Sequence, residues 1–322
     1  MKAYNKTFSI NGYDSETVFV PAFKLCDVIP SGPDELHPAF VVNGKPISGF
    51  YVSKYQNVIK GGHAISQKLQ DPAVNVDYND AYSVCKSNGK GWSLCSALQW
   101  GAIALSCYKN GTLPLGNNCF GKDYSENEYV ATPASFDQGK TARVLTGSGP
   151  DSWSHDHTAD GIFDLNGNVW EWVSGLCLSY GEVWVNLGNG FRAINGATGE
   201  LTEVNSCPQS VKLDFRENNW IYSTTQFAKE NVIHSCPLKN VTVSAEVCEK
   251  AKNLLLALAL IPPTGFDQEV TFYANNGNSE RFCFRGGKWS LEGQSGLFKT
   301  CLDDPPTLKG EMIGFRASFI ED

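Results

Sequence analysis

Charge is what this 322-residue chain has little of. Asp, Glu, Lys and Arg together make up 19% of it, no run of Lys or Arg occurs, and the net charge is −8. Binding phosphates takes clustered cations, so a nucleic-acid partner is excluded. Long apolar runs are also missing. The longest extends from Leu254 to Pro262, well under the roughly 20 residues that span a bilayer, so membrane insertion is not expected. The start, Met1 to Lys6, lacks the apolar core of a signal peptide, which points to synthesis in a cytoplasm. No Cys-x-x-Cys pair occurs among eleven scattered cysteines. That removes zinc knuckles and thioredoxin-like sites and leaves the thiols as small, reduced core residues. A Ser-His-Asp elbow, a phosphate-cradling Gly loop and a paired-carboxylate spacing are likewise missing.

What is present suits a folded, turn-rich protein. Hydrophobic residues are 42% and aromatics 12%, enough for a sizeable core in one large domain or two ordinary ones. The 31 glycines and 15 prolines favour turns and irregular connections over long helices. Residues 49–57 read as an aromatic-rich strand. A helix is expected over 77–89, capped by Asn79 or Asp80, and a second begins at Ser96 with Leu98, Ala102 and Leu105 on one face. A turn at Asn166-Gly167 leads into a strand with Trp170 and Trp172 on one side and Val169, Glu171 and Val173 on the other. A hairpin over 181–190 and a helix over 245–260 follow. Two nearby helices ahead of a strand-rich remainder indicate an α+β domain rather than alternating βαβ units.

The C-terminal stretch is unlike the rest. Strand patterns at Arg281–Arg285 and Gly314–Phe319 bracket residues 286–313, which show no clear period. Connections that long are functional or disordered. Trp289, Leu297, Phe298, Leu302 and Ile313 recur through this one and can pin it to a core. Between them stand side chains of every chemical type, the pattern of a display surface or of an irregular surface loop. Elsewhere, His155-Asp156-His157 reads as a metal pair or as a polar loop, and Trp100, Trp170 and Trp172 as sugar-stacking platforms or as core.

Phe50-Tyr51-Val52-Ser53-Lys54-Tyr55, Leu94 to Trp100, Gly167-Asn168-Val169-Trp170-Glu171-Trp172, Arg285-Gly286-Gly287-Lys288-Trp289 and Ile313-Gly314-Phe315-Arg316 occur in this order. That order resembles the formylglycine-generating-enzyme type of the C-type lectin fold. The resemblance implies an α+β domain over 46–322 with an insertion at about 176–280, preceded by an N-terminal extension, 1–45, packed on it. It also implies a calcium position at Asp164 and Glu171, where hard oxygens suit the ion; the alternative is that Glu171 hydrogen-bonds a neighbouring loop. No cofactor is required. The oxidases of the family need two cysteines after Arg-Gly-Gly, and the matching positions here are Leu291 and Gly296. Neither is a thiolate or copper ligand, so catalysis is not expected.

The same segment is similar to the variable proteins of diversity-generating retroelements, including phage-borne ones. Trp289, Ser295-Gly296-Leu297-Phe298, Leu302-Asp303-Asp304-Pro305-Pro306 and Ile313-Gly314-Phe315-Arg316 stand at that branch's spacing. The resemblance implies a fixed scaffold of Arg285, Gly286, Gly287, Trp289, Phe298, Leu302, Ile313, Gly314, Phe315 and Arg316. It implies diversified, solvent-facing, ligand-binding positions at Lys288, Ser290, Leu291, Glu292 and Gln294, at Lys299, Thr300 and Cys301, and at Asp303, Asp304, Leu308, Gly310, Glu311 and Met312, within a variable region over about 285–316. The partner would be a cell-surface or other macromolecular receptor, and the protein virion-associated or surface-displayed. A formylglycine-type oxidase and a structural virion protein are the competing readings.

Overall fold

The computed structural model describes residues 5–29, 32–127, 130–188, 190–228 and 232–321. Residues 1–4, on which the signal-peptide reading rests in part, and Pro30 lie outside the described residues.

The chain builds an α+β C-type lectin-like fold of the formylglycine-generating-enzyme type around two main sheets, with three two-stranded ribbons beside them among the described residues. The smaller runs from β1 (Asn5–Ile10) through β2 (Tyr13–Pro21) and β3 (Gly49–Ser53) to the last strand of the chain, β14 (Ala317–Phe319), and then to β4 (Trp92–Leu94). The N-terminal hairpin therefore shares a sheet with the C-terminal strand. Val18 and Val20 of β2 lie in the main core.

The larger sheet is ordered β9 (Ile233–Pro237), β10 (Thr271–Asn275), β12 (Gly296–Leu302), β11 (Arg281–Gly286), β5 (Trp170–Ser179), β6 (Glu182–Asn186), β7 (Lys212–Arg216), β8 (Asn219–Ser223). Beside β5, in parallel, lies β13 (Ile313–Phe315). The stretch Gly314–Phe319, read as one strand, is thus divided between two sheets at Arg316. Strand β12 corrects the reading of residues 286–313 as aperiodic connection. It pairs antiparallel with β11 and parallel with β10. Both of its faces are buried, and such strands read as continuous runs rather than as an alternation.

Helix α1 (Tyr78–Lys86) starts at Asp77, not at Asn79 or Asp80. The Asp77 carboxylate accepts from the Asp80 N–H while Asp80 reaches back, a reciprocal cap that requires three-residue spacing. Helix α2 (Ala97–Asn110) is capped by Ser96 with Gln99 in the same way and closed by left-handed Gly111. Helix α3 (Glu249–Ala257) is shorter than the pattern suggested, because Ala259 turns left-handed and redirects the chain. It packs against α2 at Gly101, where an added Cβ would lie 2.0 Å from the Ala257 carbonyl oxygen.

On an exposed helix, Gly→Ala stabilises by up to about 1 kcal/mol. Here the methyl must force two helices apart, so Gly101→Ala is expected to destabilise by about 1–3 kcal/mol in denaturant titration. An unchanged or raised midpoint would contradict this packing.

Candidate functional site

The site rests on a buried ion pair. Arg316 sits between β13 and β14 and is fully buried with Glu171 of β5. Its Nε donates to Glu171 Oε2 and its Nη2 to Glu171 Oε1, both at 2.9 Å. Nη1 donates to the Ser53 carbonyl at 2.7 Å and Nη2 also to the Phe163 carbonyl at 2.8 Å. Gln56 Nε2 adds a third hydrogen bond to Glu171, and Gln56 Oε1 accepts from Asn168. Both carboxylate oxygens of Glu171 are thus engaged inside the fold. Asp164, also buried, accepts from the Gly147 N–H through Oδ2, while its Oδ1 has no partner. Burial pushes its carboxyl up to about 6.

Arg285 is the second fixed cation. Its guanidinium donates to the carbonyls of Leu258 and Ala259, at 2.6 and 3.2 Å, and to Thr300 Oγ1 at 2.5 Å. The carbonyl end of α3 takes the place of a carboxylate, since helix C-termini favour cations. All ten expected scaffold residues, Arg285, Gly286, Gly287, Trp289, Phe298, Leu302, Ile313, Gly314, Phe315 and Arg316, are buried.

The expected ligand-facing positions divide. Glu292, Gln294 and Glu311 are exposed; Lys288, Ser290, Leu291, Asp303, Asp304, Leu308, Gly310 and Met312 are partly exposed. Lys299, Thr300 and Cys301 are buried, which corrects their assignment as solvent-facing. They lie in β12, the strand that sequence periodicity missed. Thr300 points inward to Arg285. Lys299 and Cys301 point the other way and form the floor of the face. Cys301 lies opposite Phe284, and the Lys299 ammonium sits 5.7 Å from the Trp170 ring centre, hydrogen-bonded to the Thr271 hydroxyl. Burial pushes the Lys299 amine down to about 8 and the Cys301 thiol well above its ordinary value.

Two segments converge over this floor. Residues 288–294 are held by the Glu292 N–H on the Asn118 carbonyl (2.9 Å) and by the Phe120 N–H on the Trp289 carbonyl (2.7 Å). Residues 303–312 dock on the start of α1 through the Tyr78 N–H to the Pro306 carbonyl and a Lys309–Asp77 ion pair of 3.3 Å. Leu291, Leu308 and Met312 pack on one cluster with Trp170, Phe284 and Ile313. The result is a single face: an apolar centre edged by Lys288, Glu292, Asp303, Asp304 and Glu311.

Neither position of the oxidase cysteine pair carries a thiol. Leu291 leads into a short 3₁₀ turn and Gly296 opens β12 at φ +144°. All eleven cysteines are free, and Cys283 and Cys301, the two in this region, are buried. Of the alternative sites, His155 Nδ1 accepts the Ile162 N–H at 2.9 Å, and burial lowers its pKa to about 4. His157 meets the Leu113 carbonyl. Trp100 and Trp172 are fully buried, with indole N–H groups on the Leu297 and Val76 carbonyls. These are loop and core residues.

Asp164 supplies a pH test. Its folded pKa is raised, so its contribution to stability is full below the unfolded value near 4 and is lost as pH rises through about 6. Asp164→Asn should therefore gain on the wild type by on the order of 2 kcal/mol between pH 4 and 7 in denaturant titrations. A pH-independent difference would contradict a buried, proton-holding Asp164.

A relative from Bos taurus, named inactive C-alpha-formylglycine-generating enzyme 2, is 27% identical over 166 residues, covering 48% of this chain and 52% of its own length. The mouse protein of the same name is 26% identical over 176 residues, covering 54% and 51%. The chain thus spans about half the length of the curated relatives it matches. Among solved structures, PvdO from Pseudomonas aeruginosa aligns with a TM-score of 0.40 at 18% identity, covering 98% of this chain and 97% of that one. Residues 5–229 match the sulfatase-modifying factor enzyme 1-like domain, and the chain belongs to that formylglycine-generating-enzyme-type family.

Proposed function

We propose that this chain is a non-catalytic recognition protein. Its C-terminal region presents a diversified binding face to a receptor or other macromolecule, as a receptor-binding or tail-associated component of a virus. The observation that carries the reading is the division by burial within residues 285–316. The ten residues that match the fixed motif are all buried, while eleven of the fourteen positions expected to vary reach solvent. Substitutions on such a face cost little stability, whereas core changes cost several kcal/mol. Binding would come from whichever aromatic, apolar or charged groups the current variant displays.

The oxidase reading is opposed by Leu291 and Gly296 at the cysteine positions and by the burial of Cys301. Curated relatives whose names describe them as inactive are consistent with loss of chemistry.

The encoding locus tests diversification. A nearby reverse transcriptase and a template repeat matching codons 285–316 except at adenines are expected, and a repeat differing at other bases would oppose the reading. At the protein level, replacing Ser290, Leu291, Asp303 and Asp304 together should keep the unfolding midpoint within about 1 kcal/mol of wild type while abolishing receptor capture. Loss of folding would place these residues in the core instead.

A further inference from the structure

Three nitrogen donors in the segments that build the recognition face meet no anionic oxygen among the described residues. Lys299 is buried, with 4% of its surface exposed, and its ammonium hydrogen-bonds to the neutral hydroxyl of Thr271. The Trp289 indole Nε1–H is buried and has no acceptor. The Lys288 ammonium lies 3.3 Å from the Met312 sulfur, a weak acceptor. Met312 joins them. Its carbonyl accepts the Trp170 N–H, its side chain packs against the Trp289 cluster, and Trp170 lies beneath Lys299. Elsewhere the fold compensates its buried cations, Arg316 with Glu171 and Arg285 with the end of α3. Lys299 has neither kind of partner.

An uncompensated buried ammonium costs several kcal/mol, and the cost falls when an anion arrives. The rim limits which anion. Glu292, Asp303, Asp304 and Glu311 belong to the two segments over the floor of the face and reach solvent, and four carboxylates so placed disfavour an extended polyanion. We propose that the face takes a compact carboxylate on a flat apolar body, with the carboxylate on Lys299 and the body against Trp170, Leu291 and Met312. The four-carbon stem of Lys299 lets its ammonium leave Thr271 and turn toward the ligand. The proposal rests on this face being the recognition surface.

Benzoate and its neutral isostere benzamide test it on the full chain. Met312 is the one methionine besides Met1, so its labelled methyl reports binding at the face, and ¹³Cε-lysine reports Lys299. Benzoate is expected to shift the Met312 methyl and one lysine signal that is absent from Lys299→Gln. Benzamide should bind at least tenfold more weakly. Lys299→Gln should weaken benzoate at least tenfold, and Lys299→Arg should restore it, with a native methyl spectrum confirming that each variant folds. A Met312 shift that is equal for benzamide, or that persists in Lys299→Gln, would overturn the carboxylate anchor while leaving the recognition face intact. Absence of any shift would also overturn the anchor. The recognition face is judged separately, by receptor capture with the four-residue replacement.

Discussion

Everything in the C-terminal half turns on the Arg316–Glu171 pair. One residue separates β13, in the larger sheet, from β14, in the smaller. That residue places its guanidinium where it meets a carboxylate of β5, a carbonyl of β3 and a carbonyl of the loop before Asn166. Neither charge reaches solvent. Breaking such a pair by removing one partner typically costs about 3–5 kcal/mol, because the remaining charge is stranded. The two sheets are therefore locked in relative position by one side chain. The paired motifs Gly-Asn-Val-Trp-Glu-Trp and Gly-Phe-Arg, far apart in the chain, are the two halves of this lock.

The lock explains how a long irregular segment can be both fixed and permissive. Its end is held by Arg316, its start by Arg285 on the carbonyl end of α3, and its middle by β12 between β10 and β11. What lies between these holds, residues 288–294 and 303–312, is tied down largely through main-chain hydrogen bonds to Asn118, Phe120 and Tyr78. Backbone anchoring of this kind is indifferent to side-chain identity, which suits a surface whose side chains change.

The motifs were legible because they carry buried polar chemistry. Asn168, Glu171, Arg285 and Arg316 have fixed partners, and side chains with fixed partners leave recognisable spacings. Helix α2 was legible for a similar reason: Ser96, Leu98, Ala102, Leu105 and Gly111 encode cap, face and stop locally. Strand β12 was not. Its run from Leu297 to Leu302 is buried on both faces, so the alternation that marks a half-buried strand is missing. Thr300 was misplaced with it, since its inward direction is set by Arg285, fifteen residues earlier. The division of Gly314–Phe319 between two sheets was equally invisible, because it depends on which strands lie beside it and not on its own pattern.

Saturation substitution of residues 285–316, read by the fraction of each variant that folds, tests this account most directly. Tolerance is expected at Lys288, Ser290, Glu292, Gln294, Asp303, Asp304, Gly310 and Glu311. Intolerance is expected at the ten scaffold positions, with Thr300 siding with the scaffold. Tolerance at Arg316 and Trp289 equal to that at Glu292 and Asp303 would contradict it, because no fixed frame would then underlie the face.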